Sequence, residues 1–83
     1  MTKDELTKIL IEARNRKNLS QEQVAVLTPE KITRQYYGMI ENGERRPSVG
    51  VAQSIAKILD IPWTLFFENE GNKKLLKIKK PVK

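Results

Sequence analysis

Apolar residues recur at spacings of three and four along most of this chain, which is the pattern of helices that bury one face. Residues that cap or break helices separate these apolar stretches from one another. The pattern predicts an all-α fold, a compact five-helix domain within residues 1–70. Its helical segments span about 3–17, 20–28, 34–41, 48–60 and 61–67.

The apolar positions of the first four segments also predict which side chains form the core. Residues three or four apart lie on the same side of a helix, so each segment has one inner face. The expected core residues are Leu6, Ile9, Leu10, Ala13, Val24, Ala25, Leu27, Tyr37, Ile40, Val51, Ala52, Ile55, Ala56, Ile58 and Leu59.

Helix ends are marked by hydroxyl side chains and by residues that tolerate a left-handed backbone. Thr2 with Glu5, and Ser20 with Gln23, have the spacing of capping boxes. Asn18 is expected to end the first helix in the left-handed conformation. The four expected N-cap residues are Thr2, Ser20, Thr33 and Ser48.

Composition argues against an enzyme. The chain has no cysteine and no histidine, so it lacks the commonest metal ligands and the commonest general base. Its carboxylates are scattered among lysines and arginines, in none of the spacings typical of catalysis. We therefore expect no catalytic residues, no metal and no cofactor.

Positive charge is concentrated at one end of the chain. Residues 1–70 carry ten basic and ten acidic side chains, whereas residues 71–83 carry six lysines and no acid, which accounts for the net charge of +6. The lysine-rich tail is expected to be mobile, and net charge alone does not indicate nucleic-acid binding by the domain. No apolar run approaches the ~20 residues of a membrane span, so a soluble cytoplasmic protein is expected.

The third segment has the features of a DNA-reading helix. Thr33 is its expected cap, and the first turn presents Arg34, Gln35 and Tyr36, all with hydrogen-bonding ends. A helix that enters the major groove by its N-terminal end brings such side chains to base edges. Gln21, which opens the second helix, is placed to donate to a backbone phosphate.

These residues lie within a longer resemblance. Three runs resemble the lambda-repressor-like family, the Cro/repressor-type or xenobiotic-response-element-like helix-turn-helix proteins: LSQEQVA at 19–25, TRQYYGMIENGERRPS at 33–48 and IAKIL at 55–59. The resemblance covers about residues 3–68, and its Tyr-Tyr and Trp-Thr-Leu-Phe-Phe elements are similar to a subgroup from Gram-positive bacteria, their phages and mobile elements.

The resemblance implies a sequence-specific regulator of transcription, expected to be a repressor, that binds double-stranded DNA. It also implies a structural pair between Arg14 and Glu41. The base contacts that it implies are Arg34, Gln35, Tyr36, Gly38 and Met39. The phosphate contacts that it implies are Gln21, Asn42, Arg45 and Arg46.

The turn between the second and third helices departs from the family. Members usually have a tight turn with a left-handed glycine, but this chain has about two more residues there and no glycine. A single turn over 29–31, capped by Thr28, is one way to fit the extra length. The presentation of the third helix depends on how this turn folds.

Two further interpretations stay open at this point. Arg45 and Arg46 have an alternative role as ordinary solvated loop charges. The chain as a whole has an alternative function as an antitoxin or anti-regulator that acts through a protein partner. A homodimer is the other candidate partner, since one short helix reads few base pairs. Its expected contact residues are Trp63, Leu65, Phe66 and Phe67, and core packing is the alternative role for the three aromatic residues.

Overall fold

The computed structural model describes residues 2–68 of the 83-residue chain. Four α-helices make up most of these residues: α1 (Lys3–Arg16), α2 (Gln21–Leu27), α3 (Arg34–Glu41) and α4 (Val49–Leu59). The fifth predicted helix is a 3-10 helix over Trp63–Phe67. Within residues 2–68 there is no strand, so the all-α prediction is confirmed there, whereas the lysine-rich tail lies outside the described residues.

The first helix begins and ends where local sequence predicts. Thr2 and Glu5 form a capping box, in which the Thr2 hydroxyl accepts from the Glu5 N–H and the Glu5 carboxylate accepts from the Thr2 N–H. At the other end Asn18 adopts a left-handed conformation with φ of 57°. The Leu19 N–H then donates to the carbonyl of Arg14 at 3.1 Å, which closes the last turn of α1.

The remaining α-helices are capped by the predicted hydroxyl residues. Ser20 and Gln23 form the second capping box, at the start of α2. Thr33 and Ser48 accept hydrogen bonds from backbone N–H groups in the first turns of α3 and α4. Asp60 ends α4 in a left-handed conformation with φ of 61°, which turns the chain toward the 3-10 helix.

One core joins all four α-helices with a single aromatic ring of the 3-10 helix. Tyr37 is the largest of the fully buried side chains. The buried apolar residues are Leu10, Ala13, Val24, Ala25, Tyr37, Ile40, Val51, Ala52, Ile55, Ala56, Leu59 and Phe66. The predicted core residues Leu6 and Ile58 are half-buried and pack against this core, whereas Ile9 is half-buried outside it.

The prediction was wrong for Leu27, whose side chain is 53% exposed. The inner face of α2 continues instead from Val24 to Thr28, one helical turn later. The buried Thr28 hydroxyl donates to the Val24 carbonyl at 2.8 Å, so its polar oxygen has a partner and the residue can take the core position. Leu27 consequently points away from the core.

The long turn after α2 is closed by backbone rather than by a side-chain cap. The Lys31 N–H donates to the Thr28 carbonyl at 3.0 Å, and Lys31 itself takes the left-handed conformation with φ of 60°. The Thr28 hydroxyl is turned back onto α2 and does not cap the turn. Glu30 accepts from the Ser54 hydroxyl of α4 at 3.1 Å, which ties the turn to the fourth helix.

Candidate nucleic-acid interface

One open depression runs along the outer face of α3 and reaches the start of α2. Its rim carries the polar, exposed side chains of Arg34, Gln35 and Asn42. Met39 adds an apolar side chain that is 38% exposed. The residues that line the depression are Gln21, Arg34, Gln35, Gly38, Met39 and Asn42. The fold thus gathers four of the five expected base-contact residues with two of the expected phosphate-contact residues.

The start of α3 is prepared for negative charge. Thr33 accepts from the Tyr36 N–H at 3.0 Å, so the helix begins at Arg34 with the positive end of its dipole at the depression. The first turns of α1 and α2 contain acidic residues, but that of α3 contains none. The end of the helix that carries Arg34 and Gln35 is therefore free of acidic side chains that would repel a phosphate.

Tyr36 lies beside the depression rather than in its lining. Its ring is half-buried, and the guanidinium carbon of Arg45 lies 5.6 Å from the ring centroid, within the range of a cation–π contact. The Arg45 N–H also donates to the Met39 carbonyl at 3.2 Å. The loop after α3 is thus attached to the helix by backbone and side chain together.

A second, smaller cleft beyond the C-terminal end of α3 is lined by three basic side chains and by the acidic Glu44. Arg45 and Arg46 line it together with Lys3 of α1, and the Arg46 guanidinium carbon lies 6.0 Å from the ring centroid of Phe67. The stem of Lys3 packs against Gly43, where a Cβ atom would come within 3.3 Å of it and where φ is +80°. Sequence reasoning missed Lys3, because only the packing of α1 brings it next to a loop forty residues away.

Glu41 is the centre of a buried hydrogen-bond cluster beneath the depression. Its side chain is 1% exposed, and Arg14 donates to it through Nε at 2.9 Å and Nη2 at 3.2 Å. Tyr37 Oη donates to Glu41 Oε2 at 3.1 Å. These contacts pair the buried carboxylate with a cation and satisfy it with hydrogen bonds, the two conditions for burying a charge.

The cluster changes the acid–base properties of its members. The hydrogen bond to Glu41 raises the pKa of Arg14, so its guanidinium keeps its proton. Burial raises the pKa of Tyr37 well above its ordinary value, and the nearby Glu41 charge adds to the effect. Both groups therefore remain hydrogen-bond donors throughout the neutral range.

Gln21 connects this cluster to the depression. Its Nε2 donates to Glu41 Oε1 at 2.6 Å, and its Oε1 lies 3.6 Å from the point where a Cβ atom of Gly38 would be. The side chain is half-buried. The bond to Glu41 was not anticipated, because nothing in the local sequence links the start of α2 with the end of α3.

The expected dimer residues fall into two groups. Phe66 is 3% exposed and belongs to the core of one protomer, so its ring is not available to a partner. Trp63, Leu65 and Phe67 are half-buried, and the rings of Trp63 and Phe67 meet edge to face with centroids 5.9 Å apart. Three further apolar side chains are exposed among the described residues, Val26, Leu27 and Val49. None of them was predicted to be exposed, and Leu27 was predicted to lie in the core.

Residues 2–68 contain no group of three or more acidic, histidine or cysteine side chains placed to hold a metal ion. None of the helices in this part of the chain is both long enough and apolar enough to cross a membrane.

Comparison with known proteins identifies the family of the chain. Residues 10–66 match the Helix-turn-helix family, whose members bind DNA to regulate transcription and are generally not enzymes. The chain is 45% identical over 67 residues to the uncharacterized HTH-type transcriptional regulator YqaF of Bacillus subtilis (strain 168), with 81% of this chain and 86% of that protein covered. No solved structure matches significantly. The chain belongs to the lambda-repressor-like helix-turn-helix family of DNA-binding transcriptional regulators.

Proposed function

We propose that this protein is a repressor of bacterial, phage or mobile-element genes that acts in the cytoplasm and reads a short duplex site with α3 in the major groove. One observation carries the proposal: Arg34, Gln35 and Met39 line one depression on the outer face of α3. Arg34 and Gln35 lie in the first turn of the helix, at the positive end of its dipole. An α-helix fits the major groove of B-DNA, so this face is the one that meets the bases.

The side chains at the start of α3 have distinct roles in this proposal. Arg34 pairs bidentately with guanine O6 and N7, and Gln35 pairs with adenine N6 and N7. Met39 offers an apolar surface for a thymine methyl group, while Gly38, over which the Gln21 amide oxygen lies, adds to the lining of the same depression. Tyr36 contacts a base edge from beside the depression, where its ring already supports Arg45.

In this proposal, phosphates are bound on both sides of the outer face of α3. Gln21 and Asn42 lie at the rim of the depression, whereas Arg45 and Arg46 extend the positive surface into the cleft behind α3. Contacts of this kind fix the register of the protein on the duplex without reading its sequence. Specificity then depends on α3 alone.

Selection of bound duplexes from a random pool tests this proposal directly. The selected duplexes should share a sequence motif. Binding of the protein to these duplexes should persist in gel shifts at ~150 mM salt, where nonspecific binding is weak. Arg34→Ala should weaken the selected duplex strongly. Lys57→Ala is the matched control, because Lys57 is an exposed cation of α4 that lines neither the depression nor the cleft. Recovery of random sequences only would refute the proposal.

A second candidate function is an antitoxin or anti-regulator that docks on a protein. The exposed apolar side chains at the end of α2 favour it, since Val26 is 75% and Leu27 53% exposed. Replacing both with serine should leave DNA binding unchanged, because neither residue lines the depression. A loss of regulation in cells with normal DNA affinity would favour the protein partner.

A further inference from the structure

Gln21 belongs to two parts of the molecule at once. Its amide lines the depression proposed to meet DNA, yet its nitrogen donates to the buried carboxylate of Glu41 at 2.6 Å. Glu41 is 1% exposed and does not itself reach the surface. A side chain proposed to bind phosphate is therefore already held, before any DNA is present, by a residue of the core.

The hydrogen-bond chemistry of the cluster leaves the Gln21 amide one orientation. A carboxylate paired with arginine only accepts hydrogen bonds, and each Glu41 oxygen has two donors. Oε1 accepts from Gln21 and from Nη2 of Arg14, while Oε2 accepts from Tyr37 and from Nε of Arg14. Gln21 must therefore turn its NH2 group inward, and its carbonyl oxygen lies over Gly38.

We propose that Glu41 is a positioning residue for DNA binding: its bond to one N–H of the Gln21 NH2 group fixes the amide and leaves the second N–H as the donor for a phosphate. This inference rests on the proposed DNA-reading function. Ordering a flexible side chain before binding removes an entropic cost that would otherwise weaken the complex. The Glu41 carboxylate thus contributes to affinity through Gln21 without touching DNA.

A double-mutant cycle on the selected duplex tests this coupling. Gln21→Ala and Glu41→Ala should each weaken binding by fully folded protein by about two- to tenfold, the range for one ordered side chain or one hydrogen bond. The double variant should bind no more weakly than either single variant, because both changes remove the same contact. Independent, multiplying losses in the double variant would overturn the proposal, and so would wild-type affinity in Glu41→Ala.

Tyr37→Phe is the matched control for stability. It removes a donor from the other carboxylate oxygen, Oε2, and leaves the bond between Gln21 and Oε1 in place. The variant should melt at a lower temperature but bind the duplex with wild-type affinity at a temperature where it is fully folded. An affinity loss equal to that of Glu41→Ala would show that Glu41 acts only by stabilising the fold.

The mobility of the Gln21 amide in the wild-type protein tests the proposal without any variant. The side-chain amide of Gln21 should show nitrogen-15 order parameters close to rigid backbone values, about 0.85, in the free protein, with little change when duplex is added. An amide that is flexible in the free protein and becomes ordered only with DNA would overturn the proposal. If wild-type protein binds no duplex, the proposed function fails; if it binds and Gln21 is flexible, only the positioning role fails.

Discussion

Replacing Glu41 with alanine removes the one acceptor shared by the buried cluster. Tyr37 would lose its carboxylate partner in a fully buried position. Arg14 would keep the bond from Nη1 to the Leu19 carbonyl at 3.1 Å and its interaction with Tyr37. The substitution therefore removes the shared carboxylate acceptor of Arg14, Tyr37 and Gln21, in a site formed by α1, α2 and α3.

The expected loss of stability follows from this geometry. Breaking a buried ion pair by removing one partner costs about 3–5 kcal/mol, and the lower end applies here because the Arg14 side chain is 16% exposed and water can reach part of it. At about 0.05–0.15 kcal/mol per residue, a domain of this size has a total of only about 3–10 kcal/mol. A loss of about 3 kcal/mol would lower the melting temperature by roughly 12–24 °C.

Urea denaturation followed by circular dichroism measures this loss. Glu12→Ala is the matched control, because Glu12 is an exposed residue of α1 and its removal should change stability by no more than about 0.5 kcal/mol. The midpoint should fall sharply for Glu41→Ala and hardly at all for the control. A loss below about 1 kcal/mol for Glu41→Ala would show that the cluster does not hold the fold together.

Four further predictions concern DNA binding, pH and assembly. Arg34→Ala and Gln35→Ala should each cost about 1–3 kcal/mol on the selected duplex and relax its sequence preference, as measured by repeating the duplex selection. Arg45→Ala should weaken all duplexes alike and reduce the salt slope by about one unit; an unchanged slope would make Arg45 a solvated loop charge. Because burial raises the pKa of Tyr37 above its unfolded value of about 10, the folded state holds that proton more tightly. The free energy of unfolding should therefore fall as pH rises above about 10, and less steeply in Tyr37→Phe. Sedimentation of wild-type protein with duplex should show two protomers per duplex. Leu65 is half-buried, and Leu65→Glu should reduce this number to one. One wild-type protomer per duplex at saturation would argue against symmetric reading.

The features that sequence predicted well are those governed by neighbouring residues. Capping depends on a hydroxyl and a backbone N–H three residues later, so Thr2, Ser20, Thr33 and Ser48 could be identified from spacing alone. The buried stripe of α4 likewise follows from helical periodicity. Both rules need only a few adjacent positions.

The features that sequence did not predict depend on residues far apart in the chain. A lysine in the left-handed conformation is uncommon, and Lys31 adopts it where the tight family turn would have glycine. The contact of Glu30 with Ser54, twenty-four residues away, accompanies that turn. Leu27 is exposed and Thr28 is buried because burial at the end of α2 depends on which side of the helix faces α3 and α4. No periodicity in a seven-residue helix settles that choice.

The outer face of α3 likewise depends both on neighbouring residues and on residues far apart in the chain. Which residues lie on the outer face of α3 follows from its helical repeat, but how firmly they are held depends on the residues that pack beneath them. Gln21 is on the surface and Glu41 is in the core, yet one hydrogen bond joins them. A substitution at Glu41 should consequently alter both stability and DNA affinity, and neither measurement alone can tell these effects apart. Affinity measured on fully folded protein, with Tyr37→Phe as the stability reference, separates the contribution of the core to folding from its contribution to recognition.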